Sequence, residues 1–350
     1  FAIACVVSLL WWAVGYSLCF SGDVGGIIGN LDMAFLRGVN LNTPFPGAAK
    51  IPMFVFIAYQ MMFAIITPAL ITGATADRLK FKSYAVFLGA WSLLVYSPVA
   101  HWVFGGGWLA EMGALDFAGG AVVHISSGAA ALAAALMLGK RKGYLTEVMP
   151  PHNLPLTVIG AGLLWFGWFG FNAGSALGAN GLAATAFLTT NTAAAGAGLS
   201  WMAVEWIHRG KPTLLGLASG IVAGLVAITP AAGFVSPVSS IIIGLAAGVV
   251  CYGSVAIIKP LLKYDDSLDA FGIHGIGGMF GAIATGLFAT VAVNPAGADG
   301  LISGSAALLG KQLIAIGASA LYSFIVSVVI LKAIDLVVGL RVAKDDEVQG

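Results

Sequence analysis

Two histidines stand inside long apolar stretches of the sequence, where ionisable side chains are rare. His124 lies eight residues after Asp116, and His274 lies five residues after Asp269. At about 1.5 Å per residue, these spacings place both imidazoles near the middle of a hydrocarbon core about 30 Å thick. Two imidazoles at one depth can share a proton, accept a hydrogen bond from a ligand and relay protons. The alternative is that each histidine is a hydrogen-bonded structural residue.

The two histidine segments resemble each other, although their helices are expected to run in opposite directions. Asp116-Phe-Ala-Gly-Gly leads to His124, and Asp269-Ala-Phe-Gly leads to His274. This pattern is typical of an inverted-topology repeat with its site at the repeat interface near the membrane midplane. Asp116 and Asp269 each stand where a helix begins, so both are predicted to cap helix N-termini. Asp116 is also placed to stabilise a cation at the outer mouth.

Aromatic side chains and one serine form a second group of residues that could bind a ligand. The run from Trp165 to Ser175 holds three phenylalanines and two tryptophans, and Phe63 lies in the middle of another apolar run. Aromatic faces attract a small ammonium-type ion, and a serine hydroxyl can accept one of its N–H bonds. Two phenylalanine rings below such a site would form a dry constriction that a neutral amine crosses more easily than an ion. The alternative is an interfacial aromatic belt.

Only long apolar helices could hold these side chains at such depths, and the composition supports them. The 350 residues are 59% hydrophobic and 9% charged, with a mean hydropathy of +0.97. Average soluble chains carry roughly 25% charged residues, so an ordinary soluble domain and a disordered chain are both excluded. A net charge of +1 gives no basic face for nucleic acid. The three cysteines give neither a disulfide framework nor a zinc spacing, and no metal or cofactor is predicted.

Long uncharged runs predict an all-α polytopic membrane protein, since one crossing needs about 20 apolar residues. The runs do not alternate as the strands of a β-barrel do. Residues 1–338 are predicted to form one transmembrane domain, and residues 339–350 to begin a cytoplasmic C-terminal tail. The ten predicted spans fall near residues 2–20, 51–74, 84–103, 118–139, 154–176, 181–204, 213–233, 237–258, 270–291 and 306–338.

Basic residues indicate how the chain is oriented in the cell membrane. With ten spans, thirteen of the 16 lysines and arginines fall on one side, and only Arg37, Lys50 and Lys311 fall on the other. The positive-inside rule makes the richer side cytoplasmic, which places the C-terminus in the cytoplasm. The chain opens at Phe1 within an apolar run that has no basic flank and no cleavage site, so a fragment is expected rather than a signal peptide.

Several motifs, in the correct order, make the chain resemble the ammonium transporter, methylammonium permease and Rh family from the family's second helix onward. The resemblance implies a fold of inverted five-helix repeats in a homotrimer, with about ten of eleven spans present and the first helix missing. The motifs are Gly113-Ala-Leu-Asp116-Phe-Ala-Gly-Gly-Ala-Val-Val-His124, Trp168-Phe-Gly-Phe171-Asn-Ala-Gly-Ser175, Arg209-Gly-Lys211-Pro-Thr, Asp269-Ala-Phe-Gly-Ile-His274-Gly and Val338-Gly-Leu-Arg341-Val.

The resemblance also implies a function and its residues. Ammonium, or methylammonium as its analogue, is recruited from outside and deprotonated, and ammonia passes along a hydrophobic pore with or without separate proton transfer. Carried over residue by residue, the outer site falls on Ser175, Phe104, Phe63, Asp116 and Trp102, the gate on Phe63 and Phe171, and the pore on His124, His274 and Trp168. The charged tail is expected to contact a PII-type signalling protein.

The sequence departs from the family pattern at the outer site. Family members usually carry a tryptophan just before the glycine loop, and here that position is Phe104. Phenylalanine is a weaker cation–π partner, so a weaker outer site is expected unless Trp102 rotates into it. Trp102 is two residues away, which on a helix points to another face.

Two other functions compete with transport. The same fold can serve as an ammonium sensor with little flux, and an appended signalling domain beyond Gly350 would distinguish it. A membrane enzyme using the two histidines is disfavoured, because no metal-binding spacing such as HExxH accompanies them. The prediction is therefore a transporter and not an enzyme.

Overall fold

The computed structural model describes residues 1–349, except for the side chains of Ala49 and Gln349. Within that part the chain forms eleven helices, two short 3-10 turns and one small antiparallel sheet, which confirms the predicted all-α class. Strands β1 (Pro44–Phe45) and β2 (Ala48–Pro52) lie in the loop before the second helix. The helices are α1 (Ala2–Phe20), α2 (Met53–Thr75), α3 (Phe81–Met112), α4 (Gly120–Leu138), α5 (Leu154–Gly174), α6 (Gly181–Arg209), α7 (Leu214–Ile228), α8 (Pro237–Leu262), α9 (Phe271–Phe288), α10 (Ala307–Val337) and α11 (Lys344–Gln349).

Each of the ten predicted spans overlaps one of the helices α1 to α10. Eight of these helices are long and apolar enough to cross a membrane, and the chain is a multi-pass membrane protein. The two others differ for visible reasons. Helix α6 has four threonines between residues 185 and 192, and Glu205, His208 and Arg209 lie in its last turns, which lowers its hydropathy. Helix α7 is apolar but has only 15 residues.

The two histidine helices, α4 and α9, pass each other in backbone contact. A Cβ atom at Gly128 would clash with the backbone of Gly275, so only glycine permits this approach. Gly128 lies one turn after His124, and Gly275 follows His274 directly. Both histidines also lie in π-helical turns at the start of their helices, a distortion that is frequent at functional sites. The crossing therefore brings the two imidazoles together.

The aspartates before these helices do not both act as predicted. Asp116 caps α4, because its carboxylate accepts the backbone N–H groups of four residues, at distances of 2.5–3.3 Å. Asp269 does not cap α9; its backbone is left-handed and its carboxylate pairs with Lys259. Asp266 takes that role by accepting the N–H of Phe271 at 2.7 Å. Burial and the neighbouring Asp269 raise the pKa of Asp266 to about 6.

This correction strengthens the similarity of the two segments. Asp266 precedes His274 by eight residues, the same spacing that separates Asp116 from His124. In both segments a carboxylate caps the helix, and a π-helical turn then carries the histidine. The spacing between aspartate and histidine in the predicted inverted repeat is thus more regular when Asp116 is matched with Asp266 than when it is matched with Asp269.

A buried ion-pair network joins three loops at the end of the molecule where basic residues gather. Asp265, whose side chain is fully buried, pairs with Arg78 at 3.3 Å and with Arg141 at 2.9 Å. Burial acts to raise the pKa of Asp265, but hydrogen bonds from Arg141 and the charge of Arg78 bring it below its ordinary value. Because Asp265 adjoins Asp266, this network anchors the segment that caps the His274 helix.

Candidate functional site

An aromatic cavity of about 160 Å³ lies at the end of the molecule opposite the basic loops. It brings together four of the residues predicted for the outer site, namely Phe63, Phe104, Asp116 and Ser175. The rings of Phe63 and Phe104 stand 6.3 Å apart and nearly perpendicular. The cavity is further lined by Phe20, Phe45, Phe56, Tyr59, Gln60, Phe117 and Leu177. Aromatic faces of this kind attract a small cation.

Trp102, by contrast, does not belong to this cavity, and its assignment to the outer site is corrected. Its ring packs against Trp108 and Tyr322, with centroids 5.8 Å and 4.8 Å away. The indole N–H donates to the carbonyl of Ile27 at 2.8 Å, which fixes the ring in place. Two residues along a helix correspond to a rotation of about 200°, so Trp102 faces away when Phe104 faces the cavity. Of these two aromatic side chains, Phe104 alone lines the cavity.

The polar side of the cavity is a cluster of hydroxyl groups. The Ser175 hydroxyl lies 2.8 Å from the Tyr59 hydroxyl, and both lie within hydrogen-bond distance of the Phe171 carbonyl, at 2.9 Å and 2.6 Å. One hydroxyl donates its proton to that carbonyl, and the other donates its proton to the carbonyl or to the neighbouring hydroxyl. A lone pair of the Ser175 oxygen stays available to accept an N–H bond.

Two stacked phenylalanine rings close the inner end of the cavity. Phe63 on α2 and Phe171 on α5 have ring centroids 4.3 Å apart and planes inclined by 18°. Phe63 is buried, and Tyr59, one turn earlier on α2, packs edge-on against it at 5.0 Å. The pair forms an apolar constriction between the aromatic cavity and the interior.

Next to Phe171, an apolar groove between two helices borders His124. A cavity of about 290 Å³ lies between α2 and α5, and Phe171, Trp168 and His124 reach into it. Its other walls are Met62, Ile65, Ile66, Leu70, Leu163, Leu164 and Gly167. Such a lining offers almost no hydrogen bonds to an ion, so it favours a neutral solute.

The two predicted histidines are in direct contact. Nδ1 of His124 lies 3.2 Å from Nδ1 of His274, and the rings are stacked with centroids 5.3 Å apart. Trp168 stacks on the other face of His124 at 5.4 Å, and its N–H donates to the Thr229 hydroxyl at 2.9 Å. A single proton between the two Nδ1 atoms forces opposite tautomers. One ring then carries a proton on Nε2, and the other presents a free Nε2 lone pair.

Sequence reasoning missed three polar residues of this path: Tyr59, Gln60 and Thr229. Tyr59 and Gln60 lie one turn before Phe63, where helical spacing from the predicted gate residue could have found them. Thr229 lies just after α7 and had no signal in the sequence. Among the residues that the structure describes, no group of three or more His, Cys, Asp or Glu side chains is placed to hold a metal ion.

Comparison with known proteins agrees with this geometry. The family model described as Ammonium Transporter Family matches residues 1–350. An ammonium transporter of Bacillus subtilis is 53% identical over 350 residues, which is 100% of this chain and 86% of that protein. The crystal structure of Candida albicans Mep2 superimposes with a TM-score of 0.92 at 40% identity, covering 98% of this chain and 77% of that one.

A third neighbour bears on the choice between transporter and sensor. A structure titled "Sensor Amt Protein" gives a TM-score of 0.91 at 31% identity and covers 99% of this chain and 86% of its own. The fold is therefore common to proteins described as transporters and to one described as a sensor. From the family model and these relatives, the chain belongs to the ammonium transporter family.

Proposed function

We propose that this protein carries ammonium across the cell membrane by recruiting the cation, removing its proton and conducting ammonia past the histidine pair. The observation that carries the proposal is the succession of contacts from the aromatic cavity through the stacked phenylalanines to the paired imidazoles. Recruitment, deprotonation and conduction each need a different environment, and the three environments follow one another along α2, α4 and α5.

Recruitment takes place in the aromatic cavity. The faces of Phe63 and Phe104 attract the cation, and the Ser175 oxygen accepts one of its N–H bonds. Asp116 contributes through space, because both of its carboxylate oxygens are already bonded to backbone N–H groups. A charged carboxylate that lines the cavity lowers the energy of a cation there without direct contact.

Deprotonation follows from the change of environment. A cation that passes Phe63 and Phe171 leaves its acceptors behind and enters an apolar cavity, where charge is costly. Ammonia crosses the same region at small cost and meets the histidine pair. The Nε2 lone pair of one ring accepts an N–H bond of ammonia, and the Nε2–H of the other donates to its nitrogen. The released proton either returns outside or crosses by a separate transfer.

The protein is further proposed to be a homotrimer with its C-terminus in the cytoplasm. Leu156, Ile159, Leu163 and Phe166 form one exposed apolar face of α5, and this face suits contact with a neighbouring subunit. The basic loops at one end support a cytoplasmic location for that end. A PII-type signalling protein is the proposed partner of the tail at this face.

The decisive experiment records currents from proteoliposomes on a solid-supported membrane. An ammonium pulse is compared with a matched potassium pulse, using empty liposomes as the blank. A saturable ammonium current without a potassium current supports selective, electrogenic transport. If no current appears, the internal pH decides: fast alkalinisation indicates ammonia flux, whereas a change no larger than in empty liposomes refutes transport and favours the sensor.

A further inference from the structure

Gln60 lies on the side of α2 that faces the aromatic cavity, one turn after Phe56 and one turn before Phe63. Its side chain is only 8% exposed. Its amide oxygen Oε1 is buried and has no hydrogen-bond partner among the residues that the structure describes. Buried polar atoms nearly always have a partner, and an unpaired one is destabilising. An unpaired amide oxygen beside a cavity indicates a donor that enters the cavity.

The other polar groups of the cavity leave room for this acceptor. The carboxylate of Asp116 is saturated by four backbone N–H groups. The Tyr59 hydroxyl is held by Phe171 and Ser175, which leaves Ser175 as the other free acceptor. With Ser175 alone, an ammonium ion in the cavity would have one acceptor oxygen for its four N–H bonds.

We propose that Gln60 is a ligand of the ammonium ion in the aromatic cavity, accepting one N–H bond through its amide oxygen while Ser175 accepts another. The last torsion of a glutamine side chain is broad and roughly two-fold, so a turn of the amide by about 180° exchanges its nitrogen and oxygen and presents the oxygen to the cavity. Ammonium has only donors, and it therefore selects the orientation in which oxygen faces it. This inference rests on the proposed function and adds to it a residue that determines affinity for an N–H cation.

The test compares Gln60→Leu with Gln60→Glu in the full-length protein in proteoliposomes. Loss of a hydrogen bond to a charged donor should raise the half-saturating ammonium concentration about tenfold in Gln60→Leu. Gln60→Glu keeps an acceptor oxygen and should stay within about twofold of the parent or bind more tightly. Val55→Leu, at an exposed position of the same helix outside both cavities, is the matched control and should leave this concentration unchanged.

The outcomes separate this inference from the proposed function. An unchanged half-saturating concentration in Gln60→Leu, in a protein whose parent carries current, overturns the role of Gln60 alone. Equal weakening in the leucine and glutamate variants also overturns it, because the acceptor oxygen would then not be the cause. If the parent protein carries no flux, the transport proposal is refuted. Ammonium binding is then measured as the rise in melting temperature that ammonium causes. A rise that is reduced in Gln60→Leu supports the inference, and an equal rise overturns it.

Discussion

Replacing Phe104 by tryptophan tests the outer site most directly. The Phe104 ring lines a cavity of about 160 Å³ and stands 6.3 Å from the Phe63 ring, so an indole there would meet the same cation. Tryptophan is the strongest cation–π partner, and the gain over phenylalanine is about 0.5–1 kcal/mol at a partly open site. That gain corresponds to a two- to fivefold lower half-saturating ammonium concentration, as about 1.4 kcal/mol is a factor of ten.

The assay is the ammonium concentration dependence of the current from proteoliposomes containing Phe104→Trp. Phe166→Trp is the matched control, because Phe166 is 77% exposed on α5 and outside the cavity; it should leave the half-saturating concentration unchanged. The maximal current should change little, since the gate and the histidines are untouched. An unchanged or higher half-saturating concentration in Phe104→Trp, with the control behaving as expected, would mean that Phe104 does not contact the cation.

Three further predictions concern the pore and the capping residues. His124→Ala and His274→Ala should each strongly reduce the ammonium current or alter its selectivity, whereas exposed His152→Ala should not; unchanged currents in both pore variants would refute the histidine assignment. Asp116→Ala should lower the free energy of unfolding by about 1–2 kcal/mol, as for a lost helix cap, and weaken ammonium binding. An unaltered melting temperature would contradict the capping role. Because the pKa of Asp265 is lowered in the folded protein, its contribution to stability is fully present above the pKa of the unfolded chain, about 3.9, and is lost as the pH falls from there through the lower pKa of the folded protein. Melting curves between pH 7 and pH 3 should therefore converge for the parent and Asp265→Asn at the acid end, and parallel curves would refute this.

The sequence was most informative where hydrocarbon makes a residue costly. An ionisable side chain in an apolar run indicates a functional residue, and this pattern predicts His124 and His274 as a pair. In the structure their Nδ1 atoms lie 3.2 Å apart. Helical spacing also predicted that Trp102 and Phe104 face different ways, as the structure places them.

The sequence does not predict the hydrogen-bond partners of the polar residues that support the site. Tyr59 and Thr229 matter because they hold other side chains, Ser175 and Trp168, through contacts between distant parts of the chain. Spacing from Phe63 could have placed Tyr59 beside the gate, but not its contact with Ser175, and nothing in the local pattern distinguishes Thr229. The depth of a residue can be read from a sequence, but the partner across the helix interface cannot.

The choice between Asp266 and Asp269 shows how a local turn changes a repeat. Asp269 stands next to the apolar run and is the cap predicted from the sequence, but its left-handed backbone and its pairing with Lys259 turn its carboxylate away from the helix start. With Asp266 as the cap, both halves of the pore have a carboxylate eight residues before a histidine. Only the outer half adds Phe104 and Ser175 beside its carboxylate. The repeat thus positions the histidine pair, and the residues that depart from the repeat make the outer mouth a site for a cation.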